Sequence, residues 1–280
     1  MIIFKTSADL ATFIKKSKAN GLSVGFVPTM GALHNGHISL VEQSKKENQL
    51  TACSIFVNPT QFNNPDDFKK YPITIETDID MLEKWGCDVL FLPDVKEIYP
   101  PGFVAPHYEL GYLETVLEGK YRPGHFQGVC QVVDRLLEIV APDKLYLGQK
   151  DFQQCMVIRK LIELKSIHTA LVICPTLRET SGLAMSSRNA RLNAKEKELA
   201  VKIYETLSML KNELKAGLLE NMKLKAAEHL SVAGFKTDYI EIADTATLAL
   251  QEKWDGKKKL VALVAAYLND VRLIDNLVLN

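Results

Sequence analysis

Neither sign of charge is in excess in this chain: 34 lysines and arginines stand against 34 aspartates and glutamates. Nucleic-acid binding draws its affinity from a concentrated basic surplus, so nucleic acid is excluded as the main partner. The longest basic run, Lys257-Lys258-Lys259, follows Asp255-Gly256 and reads as a solvated turn. No apolar run approaches the ~20 residues that a membrane span requires. The opening Met1-Ile2-Ile3-Phe4-Lys5 gives way at once to Thr6, Ser7 and Asp9, unlike a secretory leader. No membrane partner is expected. The five cysteines, Cys53, Cys87, Cys130, Cys155 and Cys174, form no Cys-x-x-Cys pair and sit in apolar segments. That is the pattern of buried thiols in a reducing compartment, so a cytoplasmic location is expected. Also missing are the Gly-x-x-x-x-Gly-Lys-Ser/Thr loop, a Gly-x-Gly-x-x-Gly after a strand, Gly-x-Ser-x-Gly and His-Glu-x-x-His.

What is present is the composition of an ordinary globular protein, 280 residues with 47% hydrophobic side chains, enough for about two domains. Up to about residue 176, β-branched or aromatic runs alternate with helix-period segments, the signature of an α/β fold with a parallel sheet and covering helices. The strands are Ser23–Val27, Thr51–Val57, Asp88–Leu92, Lys144–Leu147 and Thr169–Cys174. Helices are expected from about His37 to Asn48, over Ile75–Trp85, through Val129–Val140 until Pro142, and over Asp151–Lys165. From about Asn193 the order changes. Leu199, Ile203, Leu207, Leu210 and Leu214 mark one amphipathic helix, and a second around Leu224–Leu230 ends at Gly234. Strands at Tyr239–Ala243, Leu260–Leu268 and Val271–Leu279 follow, the last two joined at Asn269-Asp270. The expected organisation is thus 1–176 as a Rossmann-like domain and 177–280 as a smaller α+β domain.

Four segments carry chemistry. Pro28-Thr29-Met30-Gly31-Ala32-Leu33-His34-Asn35-Gly36-His37 lies between the first strong strand and the first helix, at the sheet edge where ligands bind. With His37 in the first helical turn, both imidazoles face one polyphosphate at a helix N-terminus. A zinc site is disfavoured, since no third ligand is grouped with the pair. Phe56-Val57-Asn58-Pro59-Thr60-Gln61-Phe62 ends the second strand and carries neutral amides suited to hydroxyl and carboxylate recognition. Gly148-Gln149-Lys150-Asp151 opens a helix with Asp151 as N-cap, Lys150 as a phosphate-seeking ammonium and Gln154 one turn in. Met185-Ser186-Ser187-Arg188-Asn189 offers two hydroxyls and a guanidinium to phosphate oxygens. A fifth segment, Tyr121-Arg122-Pro123-Gly124-His125-Phe126, reads as a supporting polar loop.

The His-x-Gly-His turn with Met-Ser-Ser-Arg resembles the nucleotidylyl transferase superfamily. The five blocks in order, from residue 28 to 189, resemble more closely its pantothenate synthetase (pantoate–β-alanine ligase) family. Departures from that family's pattern fall at Asn63-Asn64, Ile73 and Tyr121. The resemblance implies condensation of pantoate with β-alanine at the expense of ATP, through a pantoyl adenylate. It implies Mg²⁺ with unassigned ligands, Asp78 being an outer-sphere candidate. His34, His37, Lys150, Ser186, Ser187 and Arg188 are then the catalytic set. ATP contacts carry over onto Met30, Gly31, Ala32, Leu33, His34, Asn35, Gly36, His37, Gly148 through Asp151, Leu177, and Met185 through Arg188. Gln61 and Gln154 hold pantoate, with Asn58 close by. A homodimer is expected, the apolar strand Thr51–Val57 serving as a sheet edge. Two rivals stand beside this reading: another nucleotidylyl transferase that releases its nucleotidylated product, and a catalytically silent nucleotide-binding protein.

Overall fold

A computed structural model describes residues 1–62 and 68–280; Asn63-Asn64 lies outside the described residues. The chain forms two compact units, one of residues 1–148 and 157–175, the other of residues 149–156 and 176–280.

The first unit is built on six strands: β1 (Ile2–Phe4), β2 (Val24–Thr29), β3 (Leu50–Ile55), β4 (Val89–Phe91), β5 (Lys144–Gly148) and β6 (Ala170–Cys174). All pair in parallel, in the order β1-β4-β3-β2-β5-β6. The longer helices are α1 (Ser7–Ala19), α2 (Asn35–Glu47), α3 (Ile75–Lys84), α4 (His125–Val140) and α5 (Phe152–Leu164), the last of which runs on from the second unit. Strands covered on both faces are continuously apolar, and β3 is buried at every position. Val27, Ile38, Val41, Cys53, Leu82 and Leu90 form one core cluster of this unit. Each of the aliphatic side chains among them contributes roughly 1.5–3 kcal/mol on burial. All five cysteines are free and buried, as expected.

Sequence patterning missed β1 and α1. It also misplaced β3, which is no edge: it is hydrogen-bonded to β2 on one side and β4 on the other. Its backbone groups are therefore taken, and β1 and β6 are the edge strands.

The strand order reverses between β2 and β5, which lie side by side with Gly25 opposite Lys144 and Phe26 opposite Leu145. Ligands of open parallel sheets bind beyond the carboxyl ends at such a reversal. Here those ends are Thr29 and Gly148.

The second unit carries α6 (Ala194–Glu213), β7 (Gly217–Leu218), α7 (Glu220–Val232), β8 (Lys236–Asp244), β9 (Lys253–Trp254), β10 (Leu260–Leu268) and β11 (Val271–Val278). A capping box starts α6: Asn193 Oδ1 accepts from Glu196 N at 3.0 Å, and Glu196 Oε2 accepts from Asn193 N at 2.8 Å. Antiparallel β11-β10-β8 and the two helices enclose Ile203, Leu207, Leu210, Leu230, Ile242 and Val264. The β10–β11 hairpin turns at Asn269-Asp270, as the sequence indicated. β7 and β9 form a separate two-residue pair. The Lys257–Lys259 run is exposed, with Asp255 accepting from Lys257 N and Lys258 N.

Candidate active site

In the first unit the turn after β2 is held from below. Thr29 Oγ1 donates to Ser54 O at 2.7 Å and accepts from Gly31 N at 3.2 Å. The chain then passes through left-handed conformations at Gly31 (φ +80°) and Ala32 (φ +49°). A left-handed alanine costs roughly 1–2 kcal/mol, so something must fix it. Asp78, 1% exposed in the first turn of α3, supplies the fixing contacts. Its two oxygens accept from Ala32 N at 2.9 Å and Leu33 N at 2.8 Å, and Thr74 Oγ1 adds a third bond at 3.1 Å. A Cβ on Gly31 would stand 3.0 Å from Asp78 Oδ2, so this residue is glycine for space as well as for conformation.

The turn delivers the two histidines to the N-terminus of α2. His34 is the N-cap, its Nδ1 accepting from Gly36 N at 3.1 Å, while His37 Nδ1 accepts from His34 N at 3.3 Å. Their ring centroids are 4.1 Å apart. A ring nitrogen that accepts carries no proton, so each neutral imidazole is the Nε2–H tautomer. Two fixed ring donors at a positive helix end suit an anion with several oxygens. Asn35 and Gly36 are the first two residues of α2.

Beyond β3, Asn58 is 1% exposed and caps the short helical turn Pro59–Gln61. Its Nδ2 donates to Gly128 O at 3.2 Å and to Gln61 Oε1 at 3.3 Å, while its Oδ1 accepts from Tyr99 OH at 2.9 Å. Burial pushes the Tyr99 phenol up, which keeps it a neutral donor. Asn58 thus fixes the amide of Gln61, whose Nε2 lies 2.6 Å from Met30 Sδ. Met30 and Gln61 are brought together in this way. Two residues support the same turn: His125, which the sequence reading placed in a supporting polar loop, and Gly128, which it passed over. His125 Nδ1 bonds Gln61 O at 2.8 Å, and α4 approaches so closely that a Cβ on Gly128 would lie 2.7 Å from the carbonyl carbon of Thr60. Glycine in the first turn of an apolar helix was the available signal. Of the two family departures described, Ile73 is exposed and Tyr121 ends a five-residue helix, half-exposed.

In the second unit, Gln149–Asp151 form one turn of 3₁₀ helix leading into α5, with Asp151 directly before its first residue and Gln154 third within it. Lys150 Nζ lies 3.8 Å from Asp151 Oδ1. Asn276 of β11 holds this turn: its Nδ2 donates to Gln149 O at 2.9 Å and Lys150 O at 2.8 Å, and its Oδ1 accepts from Gln149 Nε2 at 3.2 Å. Leu177 and Met185 are joined by a Met185 N to Leu177 O bond of 3.0 Å. Between them Arg178 forms a two-pronged ion pair with Asp275, at 2.6 and 3.1 Å, and its guanidinium lies 4.0 Å over the Tyr204 ring. Burial pushes the Asp275 carboxyl up and the Arg178 guanidinium pulls against it. Ser186 caps the turn Ser187–Arg191, its Oγ accepting from Arg188 N at 3.3 Å. Asn189, buried, braces the loop from Nδ2 to Ala184 O at 3.0 Å and Glu179 Oε1 at 3.1 Å. Arg178, Asp275 and Asn276 escaped the sequence reading. Two adjacent polar residues, Asp275-Asn276, between the apolar pairs Leu273-Ile274 and Leu277-Val278 were the clue.

Both units thus present strand-to-helix or hairpin turns whose backbones are fixed by buried polar side chains, with imidazole, ammonium, hydroxyl and guanidinium groups on them. A family model described as pantoate–β-alanine ligase matches residues 2–278. The chain belongs to the pantoate–β-alanine ligase family. The resemblance read from five short blocks therefore extends over the whole chain. A pantothenate synthetase of Cytophaga hutchinsonii is 45% identical over 287 aligned positions, covering 100% of this chain and 99% of that protein. The crystal structure of pantothenate synthetase from Thermus thermophilus superposes with a TM-score of 0.91 at 38% identity, covering 99% of both chains. The pantoate–β-alanine ligase of Francisella tularensis, solved with β-γ ATP and β-alanine, matches with a TM-score of 0.81 at 42% identity over 99% of this chain and 97% of that one. This member of the family keeps the parallel sheet and the C-terminal antiparallel sheet. Among the described residues, no helix is long and apolar enough to cross a membrane, and no group of three or more His, Cys, Asp or Glu is placed to hold a metal ion.

Proposed function

We propose that this chain condenses pantoate with β-alanine in two steps: ATP and pantoate give pantoyl adenylate and pyrophosphate, and β-alanine then displaces AMP to give pantothenate. The observation that carries the reading is the reciprocal cap of His34 and His37, which fixes two Nε2–H donors at the N-terminus of α2 in a member of this family. ATP and β-alanine accompany the Francisella tularensis relative, which supports both as substrates here.

The chemistry suits the residues. A carboxylate with a pKa near ~4 is already ionised at neutral pH, so its attack on the α-phosphorus needs no general base. What it needs is control of charge, since two anions meet while negative charge moves onto the departing pyrophosphate. In this reading His34, His37, Lys150, Ser186, Ser187 and Arg188 meet that charge. Met30 through His37, Gly148 through Asp151, Leu177, and Met185 through Arg188 line the nucleotide. Gln61 and Gln154 hold pantoate, and Asn58 acts by orienting Gln61. Mg²⁺, when bound, neutralises phosphate charge. Such an ion would be held mainly by the phosphates, and Asp78 would reach it only through water, because its oxygens already hold Ala32 N and Leu33 N. The amine of β-alanine, with a pKa around ~10, must lose its proton before attack, and desolvation lowers that value. Residues 1–176 act as the ATP- and pantoate-binding domain and 177–280 as a lid that excludes water from the hydrolysable adenylate. We place the enzyme in the cytoplasm as a homodimer.

An assay with ATP, Mg²⁺, pantoate and β-alanine, omitting one component at a time, tests the reading. ATP–pyrophosphate exchange should require pantoate, and AMP should appear only when β-alanine is added. Exchange without pantoate, or no AMP with all components present, refutes it. Sedimentation equilibrium tests the dimer.

A further inference from the structure

β11 of the second unit carries, besides the part-buried Arg272, two consecutive buried polar residues, Asp275 at 5% and Asn276 at 2% exposure. A buried ion pair is a poor stabiliser, since apolar residues of similar volume usually serve as well or better. Its retention in a core strand therefore points to geometry. The contacts show what geometry is set. Asn276 places one side-chain amide on two successive carbonyls, those of Gln149 and Lys150. Asp275 Oδ1 accepts from Asn276 N at 2.8 Å while both its oxygens grip Arg178. Arg178 in turn donates to Asn276 O at 3.3 Å and Gly182 O at 3.2 Å. One dipeptide of β11 thus ties down both the 149–151 turn and the 177–185 loop, each of which carries nucleotide contacts in the proposed reading.

We propose that Asn276, held by Asp275 and Arg178, is a positioning residue for adenylation: it fixes the backbone of Gln149 and Lys150 and so sets where the Lys150 ammonium stands. The proposal rests on the reading of Lys150 as a phosphate ligand. Asn276 touches no reacting atom itself. The side chain is specified chemically: an aspartate of the same shape would turn lone pairs toward two carbonyl oxygens in place of N–H donors, and repulsion would displace the turn.

The test compares Asn276→Asp, Lys150→Ala and the double variant in the full-length protein, using calorimetric binding of a non-hydrolysable ATP analogue and steady-state kinetics. Asn276→Asp should weaken analogue binding about tenfold or more and lower the rate of pantoate-dependent pyrophosphate exchange, with KM for β-alanine unchanged within about twofold. In the Lys150→Ala background the same substitution should add less than about twofold, because two changes acting through one group are not additive. If Asn276→Asp does not fold, Asn276→Ser, which keeps one hydroxyl donor, is measured in its place by the same criteria. Unchanged analogue binding, or losses that multiply in the double variant, overturns the positioning role. A Lys150→Ala enzyme that binds the analogue and turns over normally refutes the Lys150 reading instead, and the proposal falls with it.

Discussion

His34 and His37 cap one helix reciprocally, each imidazole taking a backbone N–H on Nδ1. The two rings therefore have a structural duty as well as the proposed chemical one, and mutation can separate them.

His37→Ala should lower pantoate-dependent pyrophosphate exchange by ~10²–10³-fold, the usual cost of removing one oriented donor. Loss of its half of the capping box should cost about 1 kcal/mol in urea unfolding. His34→Asn should keep stability within about 0.5 kcal/mol, because asparagine is a favoured N-cap, while activity falls as steeply as in His37→Ala. Activity near wild type in either variant would contradict the proposed roles.

Gly128 is the point of closest approach between α4 and the turn that carries Gln61. In Gly128→Ala the new methyl would stand 2.9 Å from Gln61 Cα, so the turn must shift. Stability should fall by roughly 1–3 kcal/mol. KM for pantoate should rise more than KM for ATP, as steady-state kinetics on the folded variant will show.

Asp78→Asn leaves one acceptor where two backbone N–H groups need partners, and turns an amide donor toward the other. A stability loss of about 1–3 kcal/mol is expected, together with reduced exchange activity that raising Mg²⁺ does not restore. Recovery at high Mg²⁺ would assign Asp78 chiefly to the metal.

The strands β2 to β6 were legible because each is a short run rich in β-branched, aromatic or other apolar residues set off from helix-period segments, and α4 because its inward stripe recurs at helical spacing. β1 was not, being three residues long with Ile2 and Ile3 exposed. Nor was α1, whose inward face includes Ser17 beside Leu10 and Ile14. Neighbour order is absent from local pattern, which is how β3 came to be taken for an edge, although it is buried at every position, as an interior parallel strand is. The candidate site divides in the same way. Residues whose chemistry is local, such as the histidine pair, announce themselves. Residues that act by bracing a distant backbone, such as Gly128 beneath Thr60 or Asn276 against Gln149, carry no local pattern, because their partners are fixed only by the fold.

One ion pair of the first unit provides a pH test. Glu47, at the end of α2, accepts from Lys144 Nζ at 2.8 Å and Tyr146 OH at 2.9 Å. Its carboxyl is lowered from 4.5 to about 2, mainly by the Lys144 bond, with Gln43 and Tyr146 adding to it. A depressed carboxyl contributes stability that is complete above its unfolded value and lost as the pH falls through its folded value. The stability difference between wild type and Glu47→Gln should therefore be constant above about pH 5.5 and fade between 4.5 and about 2. Urea midpoints across that range will show it, and a difference independent of pH would exclude the linkage.

The second unit is discontinuous along the polypeptide, since residues 149–156 belong with 176–280. A fragment that starts at Thr176 would deprive the Asn276 amide of both carbonyls and of the Gln149 side chain. Dissection of this protein for separate expression should therefore fail at the obvious cut, and succeed only when the missing octapeptide is grafted back by circular permutation or supplied in trans.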